Sequence, residues 1–173
     1  MSIELLQKEE LLLTSKQATI HAFKDRLDDD KILKILKHLD LSYQQSLTLE
    51  KTPESDDGRF LEATGGMIMI GIYGRVTCEL TNKPYKFSES AWGLGGAGFS
   101  SLGTIFNVYE PSNWDAFFRN TRSYHAQGFA GAAGIFQITW FDGDNDPIGQ
   151  FNSVAVGAGV FQVGGKGRWQ NTK

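Results

Sequence analysis

The sequence predicts a mainly β fold: a compact antiparallel β-barrel of about eight strands with one short helix, preceded by a helical N-terminal region. Three observations predict it. All 20 glycines of the 173-residue chain lie from Gly58 to Gly167, so the two parts obey different local rules, helix-forming first and strand-and-turn afterwards. The stretch Phe136–Phe151, FQITWFDGDNDPIGQF, alternates apolar and polar residues on either side of an acidic turn, the pattern of a β-hairpin. Connections between the alternating segments are short, and closing them into a barrel removes exposed edges. The boundary falls in Thr52–Arg59, TPESDDGR, which separates a helical or partly disordered region over 1–57 from the barrel over 58–173.

In the N-terminal region, Ser15 is placed to cap a helix running through Leu27, with Ile20, Phe23 and Leu27 on one face. Asp28–Asp30 mark a second helix start, because carboxylates favour the positive end of the helix dipole. The following KILKILKHLDL puts Ile32, Leu33, Leu36 and Leu39 on one side and Lys31, Lys34 and Lys37 on the other. Such a helix either covers its own domain or docks on a partner or membrane surface. Ser42–Lys51, SYQQSLTLEK, reads equally as a third helix or an extended lead-in. His21 and His38 read as surface or boundary residues, with no partner at metal-ligand spacing.

Strands are expected at 66–80, 85–90, 91–101, 104–109, 122–129, 134–142, 148–157 and 160–169, with sequence neighbours paired antiparallel. In the first, Ile68, Ile70, Ile72, Val76 and Cys78 are read onto the core face, Cys78 as a small buried hydrophobe. Gly71 and Gly74 suggest a bend or bulge there. Ala91–Ser101, AWGLGGAGFSS, lacks the strand–loop–helix context of a phosphate loop and reads as a coiled barrel strand. Pro111–Thr121 is the helical insert, capped by Ser112 or Asn113 and anchored by Trp114, Phe117 and Phe118.

The net charge of -3 and the lack of a basic cluster exclude nucleic acid as a main partner. The single cysteine rules out an internal disulfide. No run of about 18 apolar residues is available for a transmembrane helix. The N-terminus carries acidic residues where a secretory signal has basic ones, so a classical signal peptide is not expected. No catalytic constellation stands out: Asp142, Asp144, His125 and Arg122 are the rim residues an enzyme would have to use, and no pair has a telling spacing. Asp142, Asp144 and Asp146 alternate as calcium ligands do, but flanking helices and a distal Glu are missing, and the same residues suit any tight turn. No catalytic, cofactor-binding or metal-binding residue is therefore assigned.

The span Asn113–Trp169 resembles the C-terminal core of bacterial virulence-associated (Vap) proteins. These share a short helix with an aromatic/Asn-Thr ending, a strand–turn–strand of the form xINFFDxxGxxLGHF, and a last strand ending Gly-x-Gly-x-Trp. The matching pieces are WDAFFRNT, FQITWFDGDNDPIGQF and GGKGRW, and AWGLGGAGFSSLGTIF is similar to earlier core strands of the family. The likeness spans about residues 65–169. It implies a tightly packed antiparallel barrel and a secreted role in host–pathogen interaction at phagosomal or lysosomal membranes, without known catalysis. The chain departs from the family in its N-terminus, which looks helical and unlike a signal peptide.

The expectation is a monomeric, non-enzymatic protein that acts on a host membrane or host protein, with residues 1–57 as a delivery, chaperone-docking or targeting segment. Its location would be secreted or host-delivered without a classical signal, with the cytoplasm as the other option. The second expectation is a barrel enclosing a small apolar ligand, which a filled interior would overturn.

Overall fold

A computed structural model describes residues 2–48, 58–131 and 134–173. Most of the expected boundary, Thr52–Arg59, lies outside the described residues. Two helices come first, α1 (Ile3–Phe23) and α2 (Asp29–Thr48). Strands β1 (Phe60–Leu80) and β2 (Tyr85–Asn107) form a long hairpin, followed by α3 (Trp114–Asn120). Then come β3 (Ser123–Phe129), β4 (Ile135–Phe141), β5 (Pro147–Val154), β6 (Gly157–Lys166) and the short β7 (Trp169–Asn171).

All pairings are antiparallel, in the order β1-β2-β5-β4-β3-β6. Strand β6 returns to pair with β2, which closes the barrel, and β7 pairs with the start of β2. One strand can serve both sides because β2 is long and bent: Trp92–Phe99 pairs with β6 and Thr104–Asn107 with β5. Its partner β1 bends with it, bringing the Thr81 amide within 3.0 Å of the Glu62 carbonyl oxygen. The separate segments expected at 85–90, 91–101 and 104–109 are thus one continuous strand. Nor do all sequence neighbours pair: β5 lies between β2 and β4, whereas β6 lies between β3 and β2. The chain crosses the barrel end between them.

The interior is filled. Phe87, Phe117, Phe136, Trp140 and Phe151 are fully buried, and Phe99, Phe161 and Trp169 pack against them. Ring centroids within this group lie 5.1–6.0 Å apart, mostly tilted or edge-to-face, the arrangement aromatic quadrupoles favour. Helix α3 closes one end. Asn113 caps it by accepting the Ala116 amide at 2.9 Å, and Phe117 and Phe118 pack onto Trp169. Cys78 is buried among these side chains, where desolvation pushes its thiol well above its usual range.

The helical hairpin differs in detail from the expectation. Ser2, not Ser15, caps α1, and Ser15 is buried mid-helix against the barrel, with Ile20 turned outward. Helix α2 starts at the aspartates as expected and runs on without a break, which resolves residues 42–48 of the ambiguous stretch as helix, residues 49–51 lying outside the described residues. Its core-facing side uses Ile32, Ile35 and Leu39, while Leu33 is exposed. That rotation also buries His38, expected at the surface or boundary, against Phe106. Two of the three lysines dock the helix onto its own barrel: Lys31 pairs with Asp146 at 2.5 Å and Lys37 with Glu110 at 2.7 Å. Among the described residues no helix is long and apolar enough to cross a membrane.

Candidate functional site

The site grows out of the bend in β1. At Gly71 the backbone adopts φ +67, a left-handed conformation that glycine enters without a β-carbon clash, and the pairing register with β2 slips between Gly71 and Tyr73. Because side chains alternate with period two, a one-residue slip reverses which face they take. Before the slip, Met67 and Met69 point inward and Ile68, Ile70 and Ile72 outward; beyond it, Val76 and Cys78 point inward. The expectation that all three isoleucines lie on the core face with Val76 and Cys78 is therefore corrected by the bulge.

The outward residues form a continuous apolar belt. Ile70 sits opposite Gly96, Gly96 opposite Val160, and Val160 opposite Phe129, so one row crosses β1, β2, β6 and β3. Ile70 is 81% exposed, Val160 64% and Phe129 37%. In the adjoining row, Ile68 faces Gly98 and Gly98 faces Ala158. Nothing stands over the outer side of Gly96 or Gly98, so the belt carries bare backbone between Ile68 and Ile70 on one side and Ala158 and Val160 on the other. Past the bulge, Tyr73 packs edge-on against Trp92, with ring centroids 5.3 Å apart. The Tyr73 hydroxyl reaches Ser90 Oγ at 3.3 Å, and this contact, with Arg75 nearby, holds the phenol below its usual range. Arg75 follows on the same face and donates to Ser88 Oγ at 3.1 Å.

The sequence-level candidates lie elsewhere. Asp142 Oδ1 accepts the amides of Asp144 and Asp146 at 3.0 and 2.9 Å, and Asp146 holds Lys31, so two of the three carboxylates build the turn and seat α2. Asp144 is exposed. No group of three or more His, Cys, Asp or Glu side chains that could hold a metal ion occurs among the described residues. Arg122 and Asp142 share an open cleft with Glu89, Ser123, Lys166 and Arg168. His125 is apart from them and is no rim residue: it is buried beneath Phe23 of α1, with ring centroids 5.1 Å apart. Its cover comes from a sequence-distant helix, which strand alternation cannot register.

The family model described as Rhodococcus equi virulence-associated protein matches residues 7–170. Among solved structures, the virulence-associated protein VapD of the intracellular pathogen Rhodococcus equi is similar at TM-score 0.56 and 17% identity, over 64% of this chain and 96% of that one. The virulence-associated protein VapB of the same organism is similar at TM-score 0.51 and 23% identity, over 65% and 96%. At such identities the likeness shows a shared fold. No curated protein matches the chain.

Proposed function

This chain belongs to the Rhodococcus equi virulence-associated protein family, and from that premise we propose that it is a non-enzymatic, host-delivered protein that acts on a host membrane through the outer surface of its barrel. The observation that carries this reading is the apolar belt at the β1–β2 bend. Along β1 the outward side chains run Ile68, Ile70, Ile72, then Tyr73 beside Trp92, then Arg75. That order matches the layers of a bilayer surface: hydrocarbon, the level where Trp and Tyr gather, and the headgroups where cations sit. Scattered surface hydrophobics need no explanation, but a contiguous and graded patch does. The filled interior supports an outer-surface role over an enclosed apolar ligand. The delivery or chaperone-docking role of residues 1–57 belongs to a state in which α1 and α2 have left the barrel, since Phe23, Ile32, Ile35 and Leu39 are otherwise packed against it.

Co-sedimentation of the full chain with phosphatidylcholine/phosphatidylglycerol vesicles tests the reading, with the Ile68→Asp/Ile70→Asp double variant beside it. Seating two isoleucines in hydrocarbon contributes about 1.5 kcal/mol each or more, so the variant should bind about 100-fold more weakly. Equal partitioning of the two proteins removes the belt from the interaction. Absence of binding by both removes the membrane and leaves a host protein as the partner to pursue.

A further inference from the structure

The hairpin's seat on the barrel is unusually polar. Gln127 donates to the Ala18 carbonyl oxygen at 3.0 Å, Gln137 to that of Ser15 at 2.9 Å, and Gln150 to Thr19 Oγ1 at 3.2 Å. The same side chains are laced together across β3, β4 and β5, Gln127 to Gln137, Gln137 to Asn152 and Asn152 to Gln150, at 2.7–3.0 Å. A surface of this composition can exchange its helix contacts for water when uncovered, which an apolar seat cannot do cheaply. Among the described residues the buried apolar docking contacts gather in two small clusters, Ala22, Phe23 and Ile32 on Phe141, and Ile35 and Leu39 on Phe106 and Val108.

A buried histidine packs against each of those clusters. His125, on β3, lies under Phe23, and His38, on α2, stacks on Phe106 at 5.6 Å. One belongs to the barrel and the other to the hairpin, so both lose their burial in the same event. We propose that the α1–α2 hairpin is an acid-released cover, undocking from the β3–β4–β5 face when His125 and His38 take up protons.

The charges around each ring support the assignment. His125 faces Phe23 and Arg26 from the α1 end, the Thr139 position on β4, and Gln162 on β6, whose amide nitrogen lies 3.1 Å from Nε2. The charge acting on it among the described residues is the like charge of Arg26. Protonation would turn the Nε2 acceptor into a donor facing an amide donor. His38 donates its Nδ1–H to the Lys34 carbonyl oxygen at 2.9 Å and has Lys34 and Lys37 beside it, with Glu110 3.8 Å from Nε2 as the opposing charge among the described residues. Burial lowers both rings, His125 to about 4 and His38 in spite of its bond to the Lys34 carbonyl and the charge of Glu110.

The sign follows directly. A group whose docked pKa lies below its free value of about 6.5 contributes nothing against docking above that pH. As pH falls from there towards about 4, the undocked state gains protons the docked state cannot hold, and docking weakens. For His125 alone the docking constant falls about 30-fold between pH 7.5 and pH 5. This release is independent of what the β1–β2 bend binds, and its test contains no lipid.

Hydrogen exchange of the full chain, corrected for the intrinsic pH dependence, reads it by comparing α1 and α2 with β1 and β2. At pH 5 the wild-type helices should exchange about 30-fold faster than at pH 7.5 while the barrel strands keep their protection. The His38→Gln/His125→Gln variant should show no such change. Helices that stay protected at pH 5, a barrel that opens with them, or an unchanged response in the variant each overturn the proposal. Should the variant fail to dock, the wild-type His125 ring decides by its NMR titration: below 5 sustains the proposal, near 6.5 with α1 still protected overturns it.

Discussion

Replacing Phe136 by alanine asks whether the barrel is held by a solid interior. Phe136 is 0% exposed, and its ring lies 5.6 Å from those of Phe151 and Phe161 and 6.0 Å from that of Phe99. It also stands where a β-carbon on Gly65 would have to go, within 3.0 Å. Removing it forfeits the transfer term of a fully buried aromatic, about 1.5–3 kcal/mol, and leaves a void that these rigid neighbours cannot close. The expected loss is about 4 kcal/mol, a large share of the roughly 5–15 kcal/mol that stabilises a domain. Urea unfolding followed by tryptophan fluorescence measures it as a lower midpoint at constant slope. Phe129→Ala, on the outer belt at 37% exposure, should cost under about 1 kcal/mol and serves as the comparison. A loss below about 1 kcal/mol for Phe136→Ala would refute a filled interior. Recovery of stability by benzene in the variant would locate the void.

Two further outcomes follow from the same packing. At Gly157 the backbone has φ +146 and a β-carbon would meet the Gly98 carbonyl oxygen at 1.9 Å, so Gly157→Ala should cost about 2 kcal/mol by forcing β6 off β2; an unchanged melting temperature would contradict that pairing. Cys78 is fully buried and its thiol is pushed up by desolvation, so a disulfide-exchange reagent at pH 8 should label it only as the chain unfolds, and labelling at the rate of a free thiol would place it elsewhere.

Much of this fold could be read from residue patterns because the patterns concern neighbours in sequence. The glycine-rich half alternates, Asp28–Asp30 open α2, and Asn113 caps α3, all local features. What escaped concerns which side of an element is covered, and by what. Ile68, Ile70 and Ile72 are regular enough to be placed on a core face, yet the slip at Gly71 puts the less conspicuous Met67 and Met69 inside. Strand β4 reads IFQITWF and every one of its residues is buried, because α1 covers the Gln137 and Thr139 side that alternation assigns to water. His125 on β3 is hidden by the same helix, whereas His38 is buried by the rotation of α2 onto Phe106. Alternation reports that a face is polar, and a polar face can still be a seat.

That contrast bears on the function. If the hairpin served only to hide apolar surface, its place would be the β1–β2 bend, where Ile68, Ile70, Ile72 and Trp92 stand in solvent at a cost of order 25 cal/mol per Å² of uncovered area. It lies instead on the Gln- and Thr-rich face, where covering gains least, and leaves the apolar belt open. The stability forgone on both faces is explained if each is kept for a second state: the belt for a surface it meets, and the polar seat for a cover that comes off. The two histidines lie at the two apolar points where that cover grips, so proton uptake acts at the apolar contacts of the docked hairpin. A chain with the hairpin cross-linked to its seat by an engineered disulfide separates the two roles. It should keep its affinity for vesicles at neutral pH and lose any additional binding that appears at pH 5.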